Sequence, residues 1–172
     1  MEMIGIIIVE DKPEEQEKAL AAVKQAFGIT GEPFGEGPSC MRELIGQHFV
    51  LYGEKDGPTG VMVFLTSHLG GFRDRMVFLK SGVFSKKLIL TDLMFPMGMK
   101  GPEKMHGIEV LVDAIESGIN VVVCSDTDHH DVPFMPSLIR VLEKNHPKGK
   151  IPVVLDSKDW GRAVVMGIEL LA

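Results

Sequence analysis

Two apolar runs of this chain end on acids. Ile4 to Val9 is followed by Glu10-Asp11, and Leu88-Ile89-Leu90-Thr91 by Asp92, with Leu93-Met94-Phe95-Pro96 and a Gly-rich stretch from Gly98 to Gly107 behind it. Two further polar residues follow apolar runs: Ser125 after Ile119 to Cys124, and Lys158 just beyond Ile151 to Leu155. Three acids brought into one pocket repel each other strongly at low dielectric, and a divalent cation or raised pKa values relieve that repulsion. Hard oxygen ligands with open positions suit Mg²⁺, which keeps several waters and favours phosphate-bearing partners. Beside such an ion a carboxylate can attack a phosphoryl group, while an ammonium and a hydroxyl stabilise its oxygens. Acid, metal, hydroxyl and lysine together would supply each of these roles.

The elements that must position these groups read as an alternation of strands and helices. Pro13 suits the opening turn of a helix that buries Leu20, Val23 and Phe27. Gly107 to Ser117 carries a helical pattern through Ile108, Leu111, Val112 and Ile115, stopped by Gly118. Pro136 to Asn145 predicts a helix burying Leu138, Val141 and Leu142, and Asp159 to Leu171 a last one through Trp160, Val164, Ile168 and Leu171. Strands apolar throughout, alternating with helices, imply a parallel sheet covered on both faces. The expected fold is α/β, a doubly wound parallel five-stranded sheet of flavodoxin-like topology, in one domain spanning residues 1–172. Ligands of such sheets collect at the carboxyl ends of the strands, beside the switch point in strand order. Between Gly28 and Lys87 the pattern is less regular. Phe49 to Tyr52 reads as the second sheet strand, and Val61 to Thr66 with Arg75 to Leu79 as an inserted β-hairpin joined through a Gly70-Gly71 turn, within an addition of about 53–87.

The arrangement resembles the receiver domain of two-component response regulators. Val9-Glu10-Asp11 matches its acidic pair after the first strand, Asp92-Leu93-Met94-Phe95-Pro96 with Gly107 its Asp-Leu-x-x-Pro and following Gly, Ser125 its hydroxyl and Lys158 its lysine. The resemblance implies that Asp92 accepts a phosphoryl group, that Glu10, Asp11, Asp92 and the backbone carbonyl of Met94 hold Mg²⁺, and that Ser125 and Lys158 contact phosphoryl oxygens. It implies a signalling protein with a histidine kinase or phosphotransfer protein upstream and a further protein downstream. The chain departs from the pattern in the long separation of Asp11 from Asp92, in Leu155 where an aromatic residue is usual, and in Asp159 where proline is usual.

Composition narrows the alternatives. The net charge of −6, with no block dense in Lys or Arg, argues against a nucleic-acid surface. No apolar stretch approaches the roughly 18 residues of a membrane span, and no basic leader precedes Met1 to Val9, so a cytoplasmic protein is expected. Cys40 and Cys124 lie far apart, outside any Cys-x-x-Cys spacing, and Cys124 reads as a small buried hydrophobe. Two rival readings are a pseudo-receiver that binds a partner without phosphorylation, and a metal-dependent hydrolase using Asp126, Asp128, His129, His130 and Asp131. Met94, Met97 and Met99 suggest an adaptable contact loop.

Overall fold

In β1 (Glu2–Val9) three successive side chains, Ile6, Ile7 and Ile8, are fully buried, so both faces of the strand are covered. A β-branched run suits an extended backbone, and burying each such side chain contributes about 1.5–3 kcal/mol. The computed structural model describes residues 2–30, 49–53, 59–126, 134–146, 148–154 and 158–172. After β1 come α1 (Pro13–Ala26), β2 (Phe49–Gly53), β3 (Thr59–Thr66), α2 (Leu69–Leu79), β4 (Lys86–Thr91) and the short strands β5 (Phe95–Pro96) and β6 (Glu103–Lys104). Then follow α3 (Gly107–Glu116), β7 (Asn120–Cys124), α4 (Met135–Glu143), β8 (Val153–Val154) and α5 (Trp160–Leu171).

Five strands run parallel in the order β3-β1-β4-β7-β8, with β2 antiparallel along the β3 edge. This is the expected doubly wound, flavodoxin-like α/β sheet. Ile7, Val9, Phe64, Ile89, Val121 and Val123 face α2, α3 and α4, where they meet Leu69, Phe72, Met76, Val110 and Leu111. Ile6, Ile8, Val63, Leu88, Leu90 and Val122 face α1 and α5, where they meet Ala19, Val23, Trp160 and Val164. Strand order reverses at β1, which has β3 on one side and β4 on the other, so the switch point opens between the carboxyl ends of β1 and β4. Among the described residues no helix is long and apolar enough to cross a membrane.

Three local expectations are corrected. Arg75 to Leu79, expected as a hairpin arm, belongs to α2: Leu69, Phe72, Met76 and Leu79 are all buried at helical spacing, and Gly70-Gly71 opens that helix rather than turning between strands. An antiparallel pair does form in this part of the chain, between β2 and β3. The second parallel strand is therefore Thr59–Thr66, within the segment expected as an addition, and Phe49 to Tyr52 is the antiparallel edge. Val141 is exposed on α4 rather than buried, because only one face of that helix meets the core.

Candidate functional site

The β1 ladder runs one residue past the strand, since the Glu10 amide donates to Thr66 O at 3.0 Å. Glu10 is thereby fixed at the sheet edge with its carboxylate fully buried. The Lys12 amide donates to Glu10 Oε1 at 3.0 Å, and the Gln16 side chain, one turn into α1, holds the Glu10 carbonyl. On β4 the Asp92 amide donates to Val9 O at 2.9 Å, bringing the second acid beside the first. The Thr91 hydroxyl donates to Asp92 O and the Leu93 amide to Asp92 Oδ1, each at 2.6 Å, so both ends of Asp92 are held by its neighbours.

Two groups from the far end of the chain complete the pocket. Ser125 is carried to the edge by β7, where its amide donates to Val154 O at 2.9 Å and its hydroxyl to Asp92 Oδ1 at 2.6 Å. The Lys158 ammonium lies 2.7 Å from Glu10 Oε2 and 2.8 Å from Asp92 Oδ2, almost wholly buried. Lys158 has φ 43°, the left-handed region that costs a non-glycine residue about 1–2 kcal/mol. It is the only non-glycine with positive φ among the described residues, and such strain collects at functional sites. Asp11 stands beside them, and ligand oxygens of Glu10, Asp11 and Asp92 lie within 4.8 Å of one another. All five side chains expected at the site thus meet at one edge. Met94 follows in the loop after Asp92, half-buried against the core.

The pocket is electrostatically unbalanced. Three carboxylates face one ammonium, and Asp11 Oδ1 is buried with no hydrogen-bond partner among the described residues. Burial pushes the Glu10 carboxyl up to about 7, and the neighbouring Asp92 charge pushes the same way against the hydrogen bonds from Lys158 and Lys12. Burial alone would lower the Lys158 ammonium, but hydrogen bonds to Asp92 and Glu10 outweigh it and hold it above its ordinary value. Cys124, at the end of β7, is raised by burial and then by Asp92, so it stays a neutral thiol and packs as a small hydrophobe.

Gly107 sets the depth of the Asp92 loop. Its amide donates to Leu93 O at 3.0 Å, and a Cβ there would lie 2.6 Å from Asp92 O and Leu93 Cα, both backbone atoms that cannot step aside. Gly107→Ala is expected to destabilise the protein by about 1–3 kcal/mol, which denaturant unfolding measures.

Sequence reading missed the supporting residues. Thr91 was visible as the polar residue that closes the apolar run Leu88 to Leu90, whereas Lys12 and Gln16 act on Glu10 only through the way α1 leaves the edge. Trp160 Nε1 donates to Glu15 Oε2 at 3.1 Å, tying α5 to α1 next to Lys158. Of the acidic loop, Asp126 is exposed and sits 3.6 Å from Lys12 Nζ at the rim. Asp128, His129, His130 and Asp131 lie outside the described residues, as do Leu155 and Cys40.

No protein-family model matches the chain, and no curated protein matches it. Among solved structures it is similar to a futalosine hydrolase mutant of Helicobacter pylori strain 26695, at 12% identity and TM-score 0.38, over 99% of this chain and 97% of the other. It is also similar to Helicobacter pylori MTAN, at 13% identity and TM-score 0.35, over 98% of this chain and 95% of the other. The expectation of a two-component signalling protein, with its phosphorelay and response-regulator role, is corrected here: these structural neighbours are not response regulators. At such TM-scores the likeness assigns no substrate to this chain, and the chemistry must come from the pocket itself.

Proposed function

We propose that the pocket at the carboxyl edge of β1 and β4 binds a divalent cation, Mg²⁺ being the fitting physiological ion, together with a phosphate-bearing ligand. The observation that carries this reading is the charge deficit: three acids cluster with one ammonium, which contacts Glu10 and Asp92, while Asp11 Oδ1 is buried with no hydrogen-bond partner among the described residues. Once Glu10 ionises, above about pH 7, the three acids carry two more negative charges than the ammonium supplies, and a divalent cation would offset them. The donor set is entirely hard oxygen, which favours Mg²⁺ over softer transition metals. Glu10, Asp11 and Asp92, with the Met94 carbonyl, are the groups that would hold it, and the bound ion would supply positive charge for phosphate oxygens. Lys158 and Ser125 then serve as donors on the protein side, an ammonium and a hydroxyl already aimed at the Asp92 carboxylate. The likeness of these residues to a receiver pocket is kept for cation and phosphate binding alone. We further take the protein as cytoplasmic, a reading that the free, buried Cys124 fits.

Trp160, the one tryptophan, lies two residues from Lys158 and reports on the pocket. Titration with Mg²⁺ at pH 8 is expected to change its fluorescence saturably, with one equivalent bound by calorimetry. Asp11→Asn, which disturbs no hydrogen bond of Oδ1, is expected to weaken binding by at least about tenfold while leaving the fold intact. Inorganic phosphate is expected to bind only with Mg²⁺ present. Equal Mg²⁺ affinity in Asp11→Asn, or phosphate binding indifferent to Mg²⁺, would refute the reading.

A further inference from the structure

A phosphate entering the carboxylate pocket meets a charge problem. Above about pH 7 the three acids carry three negative charges, and one divalent cation with the Lys158 ammonium would supply three positive ones. The loaded pocket is then neutral, and its net charge no longer favours a phosphate group that brings roughly two negative charges of its own. Lys158 is committed to Glu10 and Asp92, so a further cation is needed at the mouth.

Lys12 is placed to supply it. Its amide donates to Glu10 Oε1 at 3.0 Å, and its carbonyl accepts the amides of Glu15 and Gln16, each at 3.0 Å. Pro13 follows and restricts the backbone further. The main chain of Lys12 is therefore fixed against an acid of the site, while its side chain is part-exposed and ends 3.6 Å from Asp126 Oδ2.

Asp126 comes from the other side. It directly follows Ser125, whose hydroxyl donates to Asp92 Oδ1 at 2.6 Å. Lys12 leaves from the end of β1 and Asp126 from the end of β7, with β4 and its Asp92 between them. Two strand spacings amount to about 10 Å, a gap that only a long side chain crosses. The ion pair thus spans the strand end that carries Asp92. Exposed as it is, it adds little to stability, because water competes for both partners. What it does is order a flexible, cationic stem across the entrance.

We propose that Lys12 is a second cationic contact for the phosphate, held on Asp126 until the ligand enters; this rests on the cation and phosphate reading of the pocket. As phosphate arrives, the ammonium leaves Asp126 for a phosphate oxygen, and the exposed Asp126 carboxylate returns to water. Lys158 and Ser125 then hold the phosphate from the floor and Lys12 from the mouth. Asp126 competes with the ligand for the same lysine and repels it, so the two residues set the affinity in opposite directions.

Inorganic phosphate, titrated calorimetrically into the whole chain at pH 8 with saturating Mg²⁺, tests this. Lys12→Gln is expected to weaken phosphate binding by about tenfold or more, Lys12→Arg to recover most of that loss, and Asp126→Asn to tighten binding by about threefold. Mg²⁺ binding without phosphate is expected not to weaken in Lys12→Gln, since the backbone amide of that residue, not its ammonium, holds Glu10. Lys18→Gln removes a charge of the same sign farther along α1, where the lysine pairs with Glu15, and is expected to keep the wild-type phosphate affinity. Unchanged phosphate affinity in Lys12→Gln, an equal loss in Lys18→Gln, or weaker binding in Asp126→Asn would each overturn the proposal while the pocket reading stands. Absence of Mg²⁺-dependent phosphate binding in the wild-type protein would instead refute that reading, and this proposal with it.

Discussion

Lys158→Ala is expected to cost about 3–5 kcal/mol of stability in the absence of divalent cations, since it removes one partner of a buried ion pair and strands the others. Here the stranded groups are Glu10 and Asp92, both fully or almost fully buried and both within 2.8 Å of the ammonium. The backbone makes a companion variant informative. Lys158 has φ 43°, so Lys158→Gly loses the same charge but relieves the left-handed strain, and is expected to be about 1 kcal/mol more stable than Lys158→Ala. If saturating Mg²⁺ restores much of the loss at pH 8, lysine and metal neutralise the same acids. Urea unfolding of the three proteins, with and without Mg²⁺, gives all these differences. A loss below about 1 kcal/mol would mean that the pair behaves as a surface ion pair and that the acids already have other counter-ions.

The second large effect is the pH dependence set by Glu10. Its carboxyl is raised from 4.5 to about 7 in the folded protein, first by burial. Between those values the folded state holds a proton that the unfolded state has lost, so stability falls as pH rises through this window and levels off above it. The contribution is on the order of 1–3 kcal/mol, allowing for relaxation of a coupled pair. The proposed cation would compete with that proton. Mg²⁺ is therefore expected to stabilise strongly at pH 8, where Glu10 is ionised, and little at pH 5. In Glu10→Gln the fall between pH 4.5 and 7 should vanish relative to wild type. Denaturant midpoints at a series of pH values, each with EDTA and with Mg²⁺, measure both trends. A wild-type stability that rises from pH 5 to 8 by the same amount as that of Glu10→Gln would contradict the assignment.

Parallel topology was legible because burial on both strand faces forces continuous apolar runs. Ile4 to Val9 and Leu88 to Leu90 could hardly be anything else, and each ends where the sheet needs an edge. The site was legible for the same reason: a buried strand that stops on an acid delivers that acid to the edge, and the β1–β4 register brings Glu10 and Asp92 together. Leu69 to Leu79 was misread because Gly70-Gly71 looks like a turn. The burial of Leu69, Phe72, Met76 and Leu79 outweighs the low helix propensity of those glycines. Arg75 hid the pattern further, since it is buried with its guanidinium on Leu65 O and Gly71 O, whereas an arginine normally marks a solvated face. Lys158 could be located after the last strand but not oriented: its left-handed backbone, which no local residue type announces, goes with an ammonium turned onto both acids.

Glu10, Asp11 and Asp92 are proposed to form one divalent-cation site. A crystal structure of the protein grown with Mn²⁺ in place of Mg²⁺ at pH 8 tests it most directly, because anomalous scattering locates the ion without reference to the protein density. One anomalous peak within coordination distance of oxygens from all three acids is the result expected, and the same peak should be absent from Asp11→Asn. A strong peak elsewhere, or an empty pocket with Lys158 still spanning Glu10 and Asp92 at saturating Mn²⁺, would contradict it.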